Sequence, residues 1–228
     1  GGARRRTHPP VTPLVLFGGT FDPVHRAHIN GARAVARTLQ APVHLLPNAV
    51  PPHRPQPGAS GAHRLAMLEA AVARYPELIA DDWELRQPGP SYSLHTLEHF
   101  RTVAGERPLV LLIGADSLAG LHTWHRWQDY PALCHLAVLP RPDAGRPDPA
   151  VMQAFPEGDA ASLCQYPAGR RLMLKRPFLN VSASAVRDAL ARNGHCPALS
   201  HDVEAYIQRH HLYNVPDNPK PPTRPGTA

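Results

Sequence analysis

Only three cysteines occur in 228 residues, Cys134, Cys164 and Cys196, far apart, odd in number and without a C-x-x-C pair. Their scarcity excludes the closely spaced, even framework of a disulfide-stapled secreted scaffold and fits a reducing cytoplasm. No apolar run reaches the roughly 18 to 20 residues that cross a bilayer, and the first ten residues contain no apolar signal core, so the chain reads as soluble, with no membrane partner. Between residues 11 and 213, runs of basic residues are missing too. The formal charge is +6, but residues 1–10 carry +3 of it through Arg4, Arg5 and Arg6, and residues 214–228 a further +1. The +2 left on residues 11–213 has no Lys/Arg cluster and no basic-aromatic interleaving, so nucleic acid is not an expected partner.

The proline- and charge-rich segments 1–12 and 214–228 read as disordered tails around a single domain at 13–213, a length that can bury one substantial core. Inside it, short apolar runs alternate with helical periodicities. Strands are expected at 14–17, 43–46, 109–113, 133–139 and 172–174, with a further one at 83–86. Helices are expected after the glycines at 18–19, from Leu65 to Tyr75, from Ser93 as cap through Phe100, at 149–155, 184–192 and 201–210. Proline-rich loops cover 47–57 and 140–149. This alternation implies an α/β, Rossmann-like fold with a mostly parallel sheet and helices on both faces, whose ligands bind beyond the carboxyl ends of the strands.

Two segments carry chemistry. Gly18-Gly19-Thr20-Phe21-Asp22-Pro23-Val24-His25-Arg26-Ala27-His28 runs from a strand exit into a helix, where glycines admit a phosphate close to the backbone and free helical N–H groups favour an anion. His25 and His28, three apart on a first helical turn, share a face and can donate to phosphate oxygens. By spacing alone they are equally a metal pair or two surface histidines, since His122 and His125 repeat the pattern. In the second segment, Val181-Ser182-Ala183-Ser184-Ala185-Val186-Arg187, Ser182 and Ser184 stand where a helix begins and Arg187 lies one turn on, able to grip two phosphate oxygens. Gly114-Ala115-Asp116-Ser117 is another glycine-bearing strand exit, and Asp116 either meets a ribose or caps the helix.

The first segment resembles the leading signature of the HxGH nucleotidyltransferases, and the second resembles their closing I-S-x-T-x-x-R signature, about 150 residues downstream. Ala27 stands where that pattern has glycine, Val181 where it has isoleucine, and Ser184 where it has threonine. Pro47-Asn48, Pro51-Pro52-His53-Arg54, Pro90-Ser91-Tyr92-Ser93, Gly114-Ala115-Asp116-Ser117 and Thr123-Trp124 narrow the resemblance to the bacterial nicotinate-nucleotide adenylyltransferases, over roughly residues 14–213. The resemblance implies transfer of an adenylyl group from ATP, accompanied by Mg2+, to nicotinate mononucleotide. It implies His25, His28 and Arg187 as catalytic residues. Gly18, Gly19, Thr20, Phe21, Gly114, Asp116, Ser182 and Ser184 would line the ATP and phosphate site, and Asn48, His53, Tyr92, Ser93 and Trp124 the mononucleotide site. No protein ligand to a metal is assigned. A phosphate monoester is already anionic at neutral pH, so neither a general base nor an activated Ser or Cys is required. Alternatives with the same phosphate chemistry are transferases for nicotinamide mononucleotide, pantetheine phosphate or a cytidylyl donor, or a non-catalytic nucleotide sensor.

Overall fold

The computed structural model describes residues 11–50, 54–89, 92–176 and 180–217. The chain alternates as the patterning implies: β1 (Leu14–Gly19), α1 (Arg26–Leu39), β2 (Val43–Pro47), α2 (Gly61–Val72), β3 (Leu78–Ala80), α3 (Ser93–Ala104), β4 (Leu109–Gly114), α4 (Ala115–Gly120), α5 (Tyr130–Leu133), β5 (His135–Leu139), α6 (Pro149–Ala154), α7 (Ala160–Gln165), β6 (Arg171–Met173), α8 (Ala183–Asn193) and α9 (His201–Arg209). The strands form one sheet in the order β3-β2-β1-β4-β5-β6. Every pairing is parallel, so "mostly parallel" sharpens to all-parallel among the described residues.

Side-chain alternation explains why both faces are covered. Successive residues of a strand point to opposite faces. Thus Val15, Val43, Leu45, Val110, Leu112, Ala137 and Leu139 enter one core with residues of α1, α2, α8 and α9. Their neighbours Leu14, Leu16, Leu46, Leu109, Leu111, Ile113, Leu136 and Val138 enter the other, beneath α3, α4, α5 and α6. Both faces must be apolar for that, which is why these strands read as continuous hydrophobic runs.

The strand expected at 83–86 is not one. Its place is taken by Leu78–Ala80, paired with β2, followed by a 3-10 turn at Glu84–Arg86. The Asp81 N–H makes a last bond to Leu45 O (2.9 Å), and the Asp81 carboxylate then accepts the Trp83 N–H (3.0 Å), turning the chain off the sheet. Trp83 stacks on His99 of α3 at 4.2 Å instead of extending the ladder. Ser93 is not the cap of α3 either. Tyr92 occupies that position without a side-chain bond, and Ser93 is the first residue of the helix. Helix α7, with one buried side chain, Leu163, was not anticipated. The ordered fold also reaches into the segment expected as a C-terminal tail: a 3-10 turn spans Leu212–Asn214 and Val215 is buried in the first core.

Candidate active site

Strands β1 and β4 are neighbours although two strands, β2 and β3, separate them in sequence, so the strand order switches direction between them, and their carboxyl ends diverge to open a crevice. Gly18 and Gly114 lie at these two ends, and a Cβ at either would meet nothing within 4 Å. Gly19 differs. A Cβ there would approach the Phe21 ring at 3.3 Å, so its absence seats that ring. Phe21 holds a left-handed backbone conformation (φ 50°) and packs edge-on against Phe17 and His28. Two cavities open in this crevice. The larger, about 710 Å³, has Thr20, Phe21, His28, Asn48, Tyr92 and Arg187 in its wall. The smaller, about 310 Å³, is walled by Gly114, Asp116 and Arg141 among others. His28 and Ala183 border both.

His25 and His28 form a reciprocal cap on α1. The His25 ring Nδ1 accepts the Ala27 N–H (3.2 Å), and the His28 Nδ1 accepts the His25 N–H (3.1 Å), as a Ser and a Glu do in a capping box. Because both Nδ1 atoms accept, each neutral ring must carry its proton on Nε2, leaving an Nε2–H donor. The rings stack with centroids 3.7 Å apart. Burial pushes the pKa of His25 down to about 4, and burial together with the neighbouring His25 pushes His28 down to about 3. Both are neutral donors at neutral pH. Ala27, which stands where the resembling pattern has glycine, is buried and gives its N–H to this cap.

Asp22 organises the loop. Its buried carboxylate accepts the Gly58 N–H (2.8 Å), the Ala59 N–H (3.1 Å) and the Tyr213 phenol (2.6 Å). Arg187 donates through Nη1 to the Asp22 carbonyl (2.9 Å) and stands 3.7 Å from its carboxylate. Arg64, almost wholly buried, donates to the carbonyls of Ala59, Thr20 and Asn48, stitching the loop after β1 to the loop after β2. Burial lowers the Arg64 pKa, partly offset by Asp22 and Tyr213, and it stays charged because guanidinium pKa values lie so high. Sequence reasoning assigned no role to Arg64 or Tyr213. Arg64 left a signal: a lone arginine in the i, i+3, i+4, i+7 register of Met67, Leu68 and Ala71 on the buried face of α2.

The remaining expected residues are distributed as follows. Ser182 caps α8, accepting the Ala185 N–H (3.1 Å), and its hydroxyl lies 3.3 Å from that of Ser184. Asp116 sits in the first turn of α4 and pairs with Arg141, which also reaches Asn180 (3.3 Å). Asn48 has a buried side-chain oxygen with no hydrogen-bond partner among the described residues, beside the larger cavity. Tyr92 is exposed at the mouth of that cavity, with its ring 5.4 Å from that of His125. Trp124 packs on the second core, edge-on to Tyr130 at 5.9 Å, and is in the wall of neither cavity. Ser93 opens α3 as an exposed residue and is in the wall of neither cavity. His53 lies outside the described residues.

Known proteins resemble the chain in sequence and in fold. Residues 16–189 match the cytidylyltransferase-like family. A probable nicotinate-nucleotide adenylyltransferase of Pseudomonas fluorescens is 42% identical over 208 residues, 89% of this chain and 97% of that protein. The corresponding protein of Serratia proteamaculans is 43% identical over 206 residues, covering 87% and 94%. Among solved structures, Plasmodium falciparum nicotinic acid mononucleotide adenylyltransferase complexed with NaAD superposes with a TM-score of 0.73 over 91% of this chain and 100% of its own. At 14% identity it speaks for the shared fold. No helix among the described residues is long and apolar enough to cross a membrane.

Proposed function

The chain belongs to the cytidylyltransferase-like family and, within it, to the nicotinate-nucleotide adenylyltransferases, and on that premise we propose how its site moves an adenylyl group. The protein joins ATP and nicotinate mononucleotide into deamido-NAD and pyrophosphate, a step of NAD biosynthesis. The observation that carries the site assignment is that His28 borders both cavities, so a neutral imidazole stands between the places two bound nucleotides would take.

In this reading the adenosine end of ATP occupies the smaller cavity, over Gly114 and Asp116. The mononucleotide occupies the larger one, with Tyr92 at its mouth and the Asn48 oxygen accepting one of its donors. The triphosphate runs along the end of β1, over Gly18 and beside Thr20. A phosphate oxygen of the mononucleotide attacks the α-phosphorus of ATP, the bond from that phosphorus to the β-bridging oxygen breaks, and pyrophosphate leaves with the electron pair. The attacking group is already an anion, so the protein's task is to hold two polyanions in line and to stabilise the charge spread over the transferring group. His28 and His25 supply fixed dipoles for that. Arg187 supplies the cation, and the Ser182 and Ser184 hydroxyls at the start of α8 add donors.

Mg2+ on the ATP phosphates supplies further charge neutralisation. The donor set suits a metal carried by the nucleotide and water: Asp22 is committed to three hydrogen bonds and Asp116 to Arg141, and the described residues contain no group of three or more acidic, His or Cys side chains arranged around an ion. The test is pyrophosphate release from ATP and Mg2+ with nicotinate mononucleotide, nicotinamide mononucleotide and pantetheine phosphate offered separately. Nicotinate mononucleotide should give the highest kcat/KM. Higher turnover with pantetheine phosphate, or tight ATP binding without turnover on any of the three, would reject the reading.

A further inference from the structure

We propose that Tyr213 is a positioning residue for adenylyl transfer, acting through Asp22 on Arg187 and on the wall of the larger cavity; this rests on the function given above. The Tyr213 phenol reaches across 191 residues of sequence to donate to Asp22 Oδ1 at 2.6 Å. The same carboxylate has Arg187 3.7 Å from its Oδ2, which also accepts the Gly58 N–H, while Oδ1 accepts the Ala59 N–H. Gly58 follows Pro57 of the cavity wall. One hydroxyl therefore restrains the anion to which both the transferring-phosphate cation and the mononucleotide cavity are tied.

Two further observations show that the ring's position is specified. A Cβ on Gly58 would come within 2.9 Å of two Tyr213 ring atoms, so the ring is in close contact with the backbone it helps to hold. The segment that delivers it is also unusual, since His211, Tyr213 and Asn214 all take left-handed conformations, with φ of 53°, 56° and 56°. For an aromatic residue such as Tyr213 that region is uncommon and costs backbone strain, and such strained positions cluster at functional sites. Burial, and the bond to Asp22 next, keep the phenol protonated well above its ordinary range, so it is always a donor.

The experiment is a double-mutant cycle on kcat/KM with ATP and nicotinate mononucleotide, using Tyr213→Phe, which keeps the ring on Gly58, and Arg187→Lys, with thermal unfolding recorded for every protein. In the wild-type background Tyr213→Phe should lower kcat/KM about tenfold, the order expected when a bond to a charged group is lost. In the Arg187→Lys background the same change should cost less than about threefold, because residues acting through one another are non-additive. Tyr213→4-aminophenylalanine, which restores a donor at the same place, should recover most of the loss and serves as the folded variant if phenylalanine unfolds the chain. Equal losses in both backgrounds, tracking the change in unfolding temperature, would reduce Tyr213 to a structural role and overturn the inference. So would an unchanged kcat/KM for Tyr213→Phe. Wild-type protein inactive on every pyridine mononucleotide would instead remove the premise, and the inference with it.

Discussion

Replacing His28 by alanine removes the side chain that borders both cavities, and its protonation state sets the size of the loss. With a pKa of about 3, the ring is charged in only about one molecule in 10⁴ at pH 7, so the free protein offers a fixed dipole there, not a cation. Loss of one preorganised donor of this kind lowers turnover about 10²- to 10³-fold, or roughly 3 to 4 kcal/mol of transition-state stabilisation. The substitution also deletes the acceptor for the His25 N–H, half of the cap on α1. That costs about 1 kcal/mol of stability, which lowers Tm by about 2 to 4 °C in a domain of this size. His28→Asn separates the two effects, because the asparagine amide oxygen stands where Nδ1 stands and can accept the same N–H, while no asparagine atom reaches the place of the Nε2–H donor. Steady-state pyrophosphate release and thermal unfolding of wild type, His28→Ala and His28→Asn check this. Alanine should lose both activity and Tm, while asparagine should regain Tm and stay at least about 10²-fold down in kcat/KM. All three should keep an acid limb near pH 6, because it belongs to the attacking phosphate. An asparagine variant close to wild-type activity, or an acid limb that vanishes with the imidazole, would refute the reasoning.

Glycine substitutions should divide by what their Cβ would meet. Gly18→Ala enters open space, so Tm should hold while KM for ATP rises, whereas Gly58→Ala presses on the Tyr213 ring and should cost about 1 to 3 kcal/mol by thermal unfolding. A destabilised Gly18→Ala, or a neutral Gly58→Ala, would count against this assignment of space. Folding stability should also depend on pH. His25 and His135 are buried with pKa values of about 4. Histidines of the unfolded chain titrate near 6.5, so as pH falls the unfolded state takes up protons first. The stability held by each neutral ring is complete above about pH 6.5 and is lost as pH falls towards 4, by up to about 3 kcal/mol per ring. The urea midpoint should therefore drop clearly between pH 7 and pH 5, and a constant midpoint would contradict the neutral-ring description.

The alternation of strands and helices was legible because strands buried on both faces are continuous apolar runs and the main helices carry a single apolar stripe. The exceptions were weak signals. Strand β3 has three residues, of which only Leu78 is buried, while the more apolar-looking segment at Trp83 turns away after Asp81. Helix α7 rests on Leu163 and an Asp159 cap, too little periodicity to register. Within the site, the local chemistry of the stretch from Gly18 to His28 supported the expectation of an anion site and nothing finer. What it could not disclose was which glycine serves space and which serves packing, or which nitrogen of each histidine carries the proton. Those answers depend on the Phe21 ring lying over Gly19 and on backbone N–H groups aimed at both Nδ1 atoms. The roles of Asp22, Arg64 and Tyr213 depend mostly on distant partners, up to 191 residues away, and no spacing in one sequence encodes such pairs.

The central claim is a single, direct displacement at the α-phosphorus of ATP by the mononucleotide phosphate, with His28, His25 and Arg187 as stabilisers and no covalent protein intermediate. The most direct test is the stereochemical course at that phosphorus, using a single diastereomer of adenosine 5′-O-(1-thiotriphosphate) with nicotinate mononucleotide and determining the configuration of the thiophosphoryl product. One in-line displacement predicts inversion. Retention would require two successive displacements through an adenylylated protein side chain and would contradict the account.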